Sequence, residues 1–433
     1  MSLKSFPRAY FELTLVGFTL VLGMSLPSAF LPIFASQLNP NEILVGLVSS
    51  SWFISRLFTE LPSGVLADRF GWFRLLVCGL AVSALGTLLC SVADTIYVLI
   101  LGWALWGLGV GFFFMCSSTM IFNLFESSVR GQALGTFQAL EFIGSLIGAP
   151  IGSFMAETSG CKAVFVVASV LMVASFLVAF FSKTLRQNCA VNSEPASKLG
   201  MTKVLPSRRN WNLTVVYFDT FSRMLIWTGF VGTFFPLFVN LELGIGVELI
   251  GLIVSIRTLG IIVATAASGR LSDRFGRKPV AVVGLIVEVG SLCAHSLAST
   301  FEMLMFVGLV EGLGFGMVLT AVMVMLSEVA PAKYRGGAIG MDRTFMSLGG
   351  LFGPLLFMAV YELYGSISTF LLGALIFLLN LALMLTVKLP KAAEEDVNGQ
   401  HPDRLQSIAF RDEGKTDIHS AIRIRHFVTQ VKA

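Results

Sequence analysis

The sequence predicts an all-α membrane protein of twelve transmembrane helices, set out as two six-helix halves that repeat one another. Its 433 residues are 55% hydrophobic and only 13% charged, with a mean hydropathy of +0.82. That leaves too few charged side chains to cover a water-soluble domain of this length. The apolar residues fall into twelve continuous runs, and a stretch of about a dozen residues occurs twice at a spacing of 205.

Taken in order, the runs lie near 11–37, 43–67, 75–93, 96–120, 131–156, 163–181, 212–240, 247–269, 279–298, 302–327, 336–361 and 367–387. A helix rises about 1.5 Å per residue, so roughly 20 apolar residues cross the hydrocarbon layer. The runs are unbroken instead of alternating, which argues for helices and against barrel strands. The first is too long for a cleavable leader and is followed by eleven more.

Charge sets the orientation. Lys4, Arg8, Arg69, Arg74, Arg130, Arg270, Arg274, Arg277, Lys278, Lys333 and Arg335 fall on one side, with six more cations in the loop 182–210. The opposite connections carry Glu42, Asp94, Glu157, Glu242, Glu248, Glu302 and Glu362, with Lys162 as their only cation. Basic loops stay in the cytoplasm, so both termini are expected there, in a multi-pass protein of the plasma (inner) membrane. The net charge of +4 expresses this sidedness and implies no nucleic acid. Six cysteines lie scattered without ligand spacing, and three of the four histidines are in the tail, so no metal site is expected.

The organisation expected is an N-terminal bundle at 1–181, a cytoplasmic central loop at 182–210, a C-terminal bundle at 211–388 and a cytoplasmic, disordered tail at 389–433. The repeat supports it. Gly64, Leu66, Asp68, Arg69, Phe70 and Gly71 recur as Gly269, Leu271, Asp273, Arg274, Phe275 and Gly276. The same offset carries Arg130 onto Arg335, Gly135 onto Gly340, Gly144 onto Gly349 and Gly148 onto Gly353.

This loop pattern, between the second and third spans and again between the eighth and ninth, resembles the major facilitator superfamily over roughly residues 8–388. The resemblance implies two bundles related by a pseudo-twofold axis, with a central cavity opened alternately to each side. It also implies that the loops latch the cytoplasmic side through Gly64, Asp68, Arg69, Gly71, Arg74 and Arg130, and through Gly269, Asp273, Arg274, Gly276, Arg277, Arg335 and Asp342. Physical chemistry agrees in part: Asp68 and Asp273 end helices, where the dipole disfavours a carboxylate and calls for a nearby cation. The first copy departs from the usual basic ending, with Trp72 and Phe73 before Arg74.

Gly340, Gly349, Gly353 and Pro354 in the eleventh span are similar to the glycine–proline pattern of the family's drug–proton antiporters. The fifth span holds Gly135, Gly144, Gly148 and Pro150, with proline displaced by one. Small residues at this spacing let helices approach closely. The fourth-span arginine of many proton-coupled exporters is missing from the segment around Trp103 and Trp106.

Ionisable residues at membrane depth default to function. Glu141 in span five and Arg257 in span eight both fall about 18–20 Å from the cytoplasmic end, and are expected to form an interdomain pair or shared substrate site. The plainer alternative is a permanent structural ion pair. Arg56 with Glu60, and Asp219 with Arg223, share helix faces at i, i+4 spacing. Glu311 sits in a Gly-rich run and is a candidate proton carrier; Glu288 lies in a span usually peripheral.

The expected function is secondary active transport, with no cofactor and an ion gradient, of protons, as the driving force. The partners are a small-molecule substrate and the bilayer, and the chain acts as a monomer. The leading reading is proton-coupled export of drug-like molecules. The rival is a symporter or exchanger for an organic anion held by Arg56, Arg223 and Arg257. No nucleotide loop or nucleophile–base spacing points to an enzyme.

Overall fold

The computed structural model describes residues 6–60, 66, 70–125, 127–190, 210–330 and 335–388. Every regular element among them is helical: α1 (Arg8–Ser25), α2 (Leu31–Leu38), α3 (Glu42–Glu60), α4 (Trp72–Ser91), α5 (Ile96–Leu124), α6 (Ser127–Ser159), α7 (Cys161–Phe181), α8 (Lys183–Ala190), α9 (Trp211–Glu242), α10 (Val247–Phe275), α11 (Arg277–Leu297), α12 (Phe301–Val329) and α13 (Arg335–Thr386). Among the described residues nine helical stretches are long and apolar enough to cross a membrane. The last, within α13, holds two helices that meet where Gly365 takes a φ of 76°. Phe154, Val170, Phe181, Phe306 and Leu371 stand exposed on the outside, as suits side chains facing lipid.

Local chemistry explains the breaks. The run at 11–37, expected to be one helix, is two: α1 ends at Ser25, residues 26–30 turn, and α2 begins at Leu31. Pro27 lacks the N–H that would continue α1, and its ring clashes with the preceding turn. Pro32 then sits in the first turn of α2, where a missing N–H costs nothing. Within α9, Ile226–Phe234 and Phe238–Glu242 are π-helical, on either side of Pro236. Such widening is one way a helix absorbs a proline. Gly71 and Gly276, the closing glycines of the two loop copies, take φ values of 84° and 91°. Side chains rarely tolerate that conformation, so the loops require glycine there. Thr95 and Thr300 cap α5 and α12 by accepting from Val98 and Met303, again 205 residues apart.

In the first half α4 packs on α5 and α7, α3 on α5, and α1 on α6 and α7; in the second, α10 and α11 pack on α12, and α9 and α11 on α13. The loop at 182–210 opens with α8, held to α1 by the hydroxyls of Ser182 and Thr184 donating to Glu12. Residues 191–209 of that loop and the tail at 389–433 lie outside the described residues.

The glycine pattern divides in two. Gly148 of α6 lies against the Leu22 carbonyl of α1, and Gly349 and Gly353 of α13 against the Phe221 and Leu225 carbonyls of α9. Gly144 also abuts α1, beside Leu22 and Phe18. Gly135 and Gly340 do not take part in packing: nothing lies within 4 Å of where a Cβ would stand. Nine residues are about 180° of helix, so a glycine nine positions before a buried one must face the other way.

Gly353→Val should overpack against the Leu225 carbonyl at a cost of about 1–3 kcal/mol or more. Gly340→Val should leave stability near native. Tm measured in detergent checks both; equal losses would mean that the close approach to α9 is not what the buried glycines provide.

Candidate functional site

The two halves meet along a seam built from matched contacts. Ser50 Oγ of α3 donates to the Leu351 carbonyl of α13 at 2.7 Å, and Ser255 Oγ of α10 donates to the Leu146 carbonyl of α6 at 2.8 Å. Ser50 and Ser255 are 205 residues apart, as are Leu146 and Leu351. One turn before each serine, Gly46 abuts the Pro354 carbonyl and Gly251 the Ala149 carbonyl, once more at equivalent positions. Thr233 Oγ1 of α9 lies 3.0 Å from Ser49 Oγ. The contacts engage the parts of α3, α6, α10 and α13 that lie away from the duplicated loops.

Glu141 and Arg257 do not pair. Arg257 donates through an Nη to Glu311 Oε1 at 2.9 Å, and its guanidinium lies 4.1 Å from the centre of the Trp227 ring. The reason is rotational. Ser255 is the residue of α10 that faces α6, and Arg257, two positions on, is turned by about 200° toward α12. Glu141 stays on α6, half-buried, with Oε1 buried and without a hydrogen-bond partner.

The second half encloses a polar cluster. Asp219 and Arg223 pair as their spacing predicts, Nε to Oδ2 at 3.3 Å, with side chains 0% and 7% exposed. Asn380 donates to the other Asp219 oxygen at 2.9 Å. Glu311 Oε2 lies 3.9 Å from His295 Nε2, while His295 Nδ1 is 2.9 Å from the Ser291 carbonyl. Glu288 is buried among these groups with Oε1 unpartnered. Phe315 lies beneath both guanidiniums, 5.5 Å from that of Arg223 and 5.6 Å from that of Arg257. Asp342 accepts from Thr220 at 2.6 Å, which ties it to α9 within the same half. Arg56 is half-buried on α3, and the side chain of Glu60 lies outside the described residues.

At the loop end, Asp273 pairs with Arg277 Nη1 at 2.7 Å, and Arg277 Nε reaches Glu328 of α12 at 3.2 Å. Arg274 lies 5.3 Å from the ring of Phe275, Arg74 is exposed, and Gly269 is open on its Cβ side. Gly64, Asp68 and Arg69 lie outside the described residues, as do the side chains of Arg130 and Arg335, whose backbones are helical. Sequence reasoning missed Glu328, His295 and Asn380 as partners. Only His295 carried a signal, as the one histidine outside the tail.

A duplicated, all-helical, lipid-facing architecture with charges enclosed at depth is that of a membrane transporter. The Major Facilitator Superfamily model matches residues 13–218 and again 216–429, and the chain belongs to that family. It is 29% identical over 371 residues to the multidrug resistance protein MdtG of Citrobacter koseri, covering 83% of this chain and 89% of that one. To MdtG of Klebsiella pneumoniae it is 28% identical over 391 residues, covering 88% and 93%. Among solved structures, a point mutant of the nucleoside transporter NupG has a TM-score of 0.70 at 15% identity, covering 88% of this chain and 100% of that one. A bacterial homolog of the human lysosomal transporter Spinster, inward-facing and unoccupied, has a TM-score of 0.65 at 13% identity, covering 87% and 94%. These two likenesses concern the fold.

Arg257→Ala strands the Glu311 carboxylate in the bundle interior and should cost about 3–5 kcal/mol. The double variant Arg257→Gln with Glu311→Gln should recover much of that loss. Thermal melts of the two proteins check this; a double variant no more stable than the single would show that charge is not the cause.

Proposed function

We propose that the chain is a twelve-span, proton-driven exporter of small, drug-like organic molecules, working by alternating access with both termini in the cytoplasm. Residues 1–181 and 211–388 are the two bundles that rock against each other about the seam. The Glu141 carboxyl carries this reading. It sits at membrane depth on α6, a helix that crosses the seam, with one oxygen buried and unpartnered. A carboxyl so placed can take up a proton, or meet a cationic substrate, at a cost that changes when the halves move. Among the described residues, the matched serine and glycine contacts of the seam lie away from the duplicated loops, which fits a conformation open toward the loop end. The multidrug resistance proteins among the relatives supply the substrate class.

An anion carrier is less well supported. Of the three arginines it would use, Arg223 is engaged by Asp219 and Arg257 by Glu311. A carried carboxylate would have to displace a resident one.

Inverted vesicles holding the purified chain test the reading. With an acid lumen, adding a lipophilic cation should drive protons out, and Glu141→Gln should abolish that flux. Cation-insensitive lumenal pH, together with Arg257-dependent uptake of an organic acid, would overturn it in favour of the anion carrier.

A further inference from the structure

The buried cluster has a counterpart in the first half built from different chemistry. The 205-residue offset carries Arg257 onto Trp52, Glu311 onto Trp106, Glu288 onto Ser83 and His295 onto Cys90. The backbone around them is the same. Gly107 abuts the Trp52 carbonyl as Gly312 abuts that of Arg257, and Gly109 abuts the Gly79 carbonyl as Gly314 abuts that of Gly284. Where the second half places an ion pair, the first packs Trp52 on Trp106 with ring centres 5.8 Å apart. The fold therefore closes equally well with an aromatic pair, and packing does not call for the charges.

Their count does not balance as ion pairs. Asp219, Glu288 and Glu311 face Arg223 and Arg257, and each arginine already has one carboxylate. α9 contributes Asp219 and Arg223, α10 Arg257, α11 Glu288 and His295, and α12 Glu311, while α13 contributes the neutral amide of Asn380 and, bonded to Thr220, Asp342. An uncompensated charge in such an interior is strongly disfavoured. The His295 geometry shows where compensation fits. Nδ1 faces a carbonyl that can only accept, so it holds the ring proton, and Nε2 then points a lone pair at Glu311 Oε2, 3.9 Å away. Two acceptors face each other with room for one proton between them.

We propose that His295, Glu311 and Glu288 form a proton site inside the second half, separate from Glu141, whose occupancy decides whether Arg257 remains bound to Glu311. This rests on the proton-driven reading above and deepens it. When a proton arrives at Glu311 Oε2 from the His295 side, the carboxylate becomes a neutral carboxyl, and Asp219 and Glu288 then balance Arg223 and Arg257. Arg257 loses its anionic partner but keeps the face of Trp227, which is partly exposed beside it. The guanidinium is then the element that reports protonation to the space outside the bundle.

The test uses the full chain in liposomes. Infrared difference spectra between acidic and alkaline buffer should show titrating protonated-carboxyl bands, one of which is lost or shifted in Glu288→Gln, Glu311→Gln and His295→Asn and is kept in Glu141→Gln. Glu288→Ser, which installs the residue already serving at Ser83, guards against a misfolded Gln variant; elution volume and Tm confirm folding. With tetraphenylphosphonium as the probe, the cluster variants should still pass the cation down its own gradient but lose the dependence on a pH gradient. A band identical in the native protein and every cluster variant would overturn the proton site, as would an unchanged pH-gradient dependence. If the native chain moves no tetraphenylphosphonium yet the band is assigned to the cluster, the export reading fails and the proton site stands.

Discussion

Two serine hydroxyls, Ser50 and Ser255, each reach across the middle of the molecule to a backbone carbonyl of the other half, and a glycine one turn earlier lets the helices come that close. Each hydrogen bond is worth about 1 kcal/mol net, too little to hold two bundles together by strength. What they supply is register. A hydroxyl meets a carbonyl only when α3 lies on α13, and α10 on α6, at one height and rotation. Because the paired residues are the same in both copies of the repeat, the seam obeys the symmetry of the duplication. Contacts this weak and this local can be broken at one end and remade at the other, which is what the alternating access proposed for this chain would require.

Rotation about each helix axis then decides the fate of every buried charge. Ser255 and Arg257 are neighbours in the chain, yet one faces the other half and the other its own interior. The matched contacts of the seam are consequently made by hydroxyls, glycines and carbonyls, and Glu141 stands on α6 while Arg257 faces its own bundle. The positive charge expected there is consumed within the second half, where Arg257 and Arg223 each hold a carboxylate. The two halves share a backbone but have divided their chemistry. One carries aromatic packing at Trp52 and Trp106, the other ionisable groups at the equivalent positions.

The loop end shows the same economy. Asp273 finds its cation at Arg277, the first residue of the next helix, and Arg277 binds Glu328 as well. The tight turn at Gly276 brings these groups together, and its φ of 91° is the reason no other residue serves there. The aspartate's need for a cation was legible from its place at a helix end. Glu328 was not, because its relevance depends on how α12 packs beside α10 and α11.

The sequence alone determined the class of fold, the repeat and its offset, the family, the loop glycines and the Asp219–Arg223 pair. Each of these is a property of neighbours along the chain: hydropathy summed over a span, a motif recurring at fixed distance, or side chains four apart on one helix face. The break at Pro27 is local chemistry that the sequence carried, although a single span was expected there. Only the tertiary structure decided that Gly148, Gly349 and Gly353 meet neighbouring carbonyls while Gly135 and Gly340 do not, and that Arg257 belongs to Glu311 and not to Glu141. Those outcomes turn on rotation and height, which differ by about 100° and 1.5 Å for each residue along a helix. A sequence specifies such angles only through the packing of helices far apart in the chain.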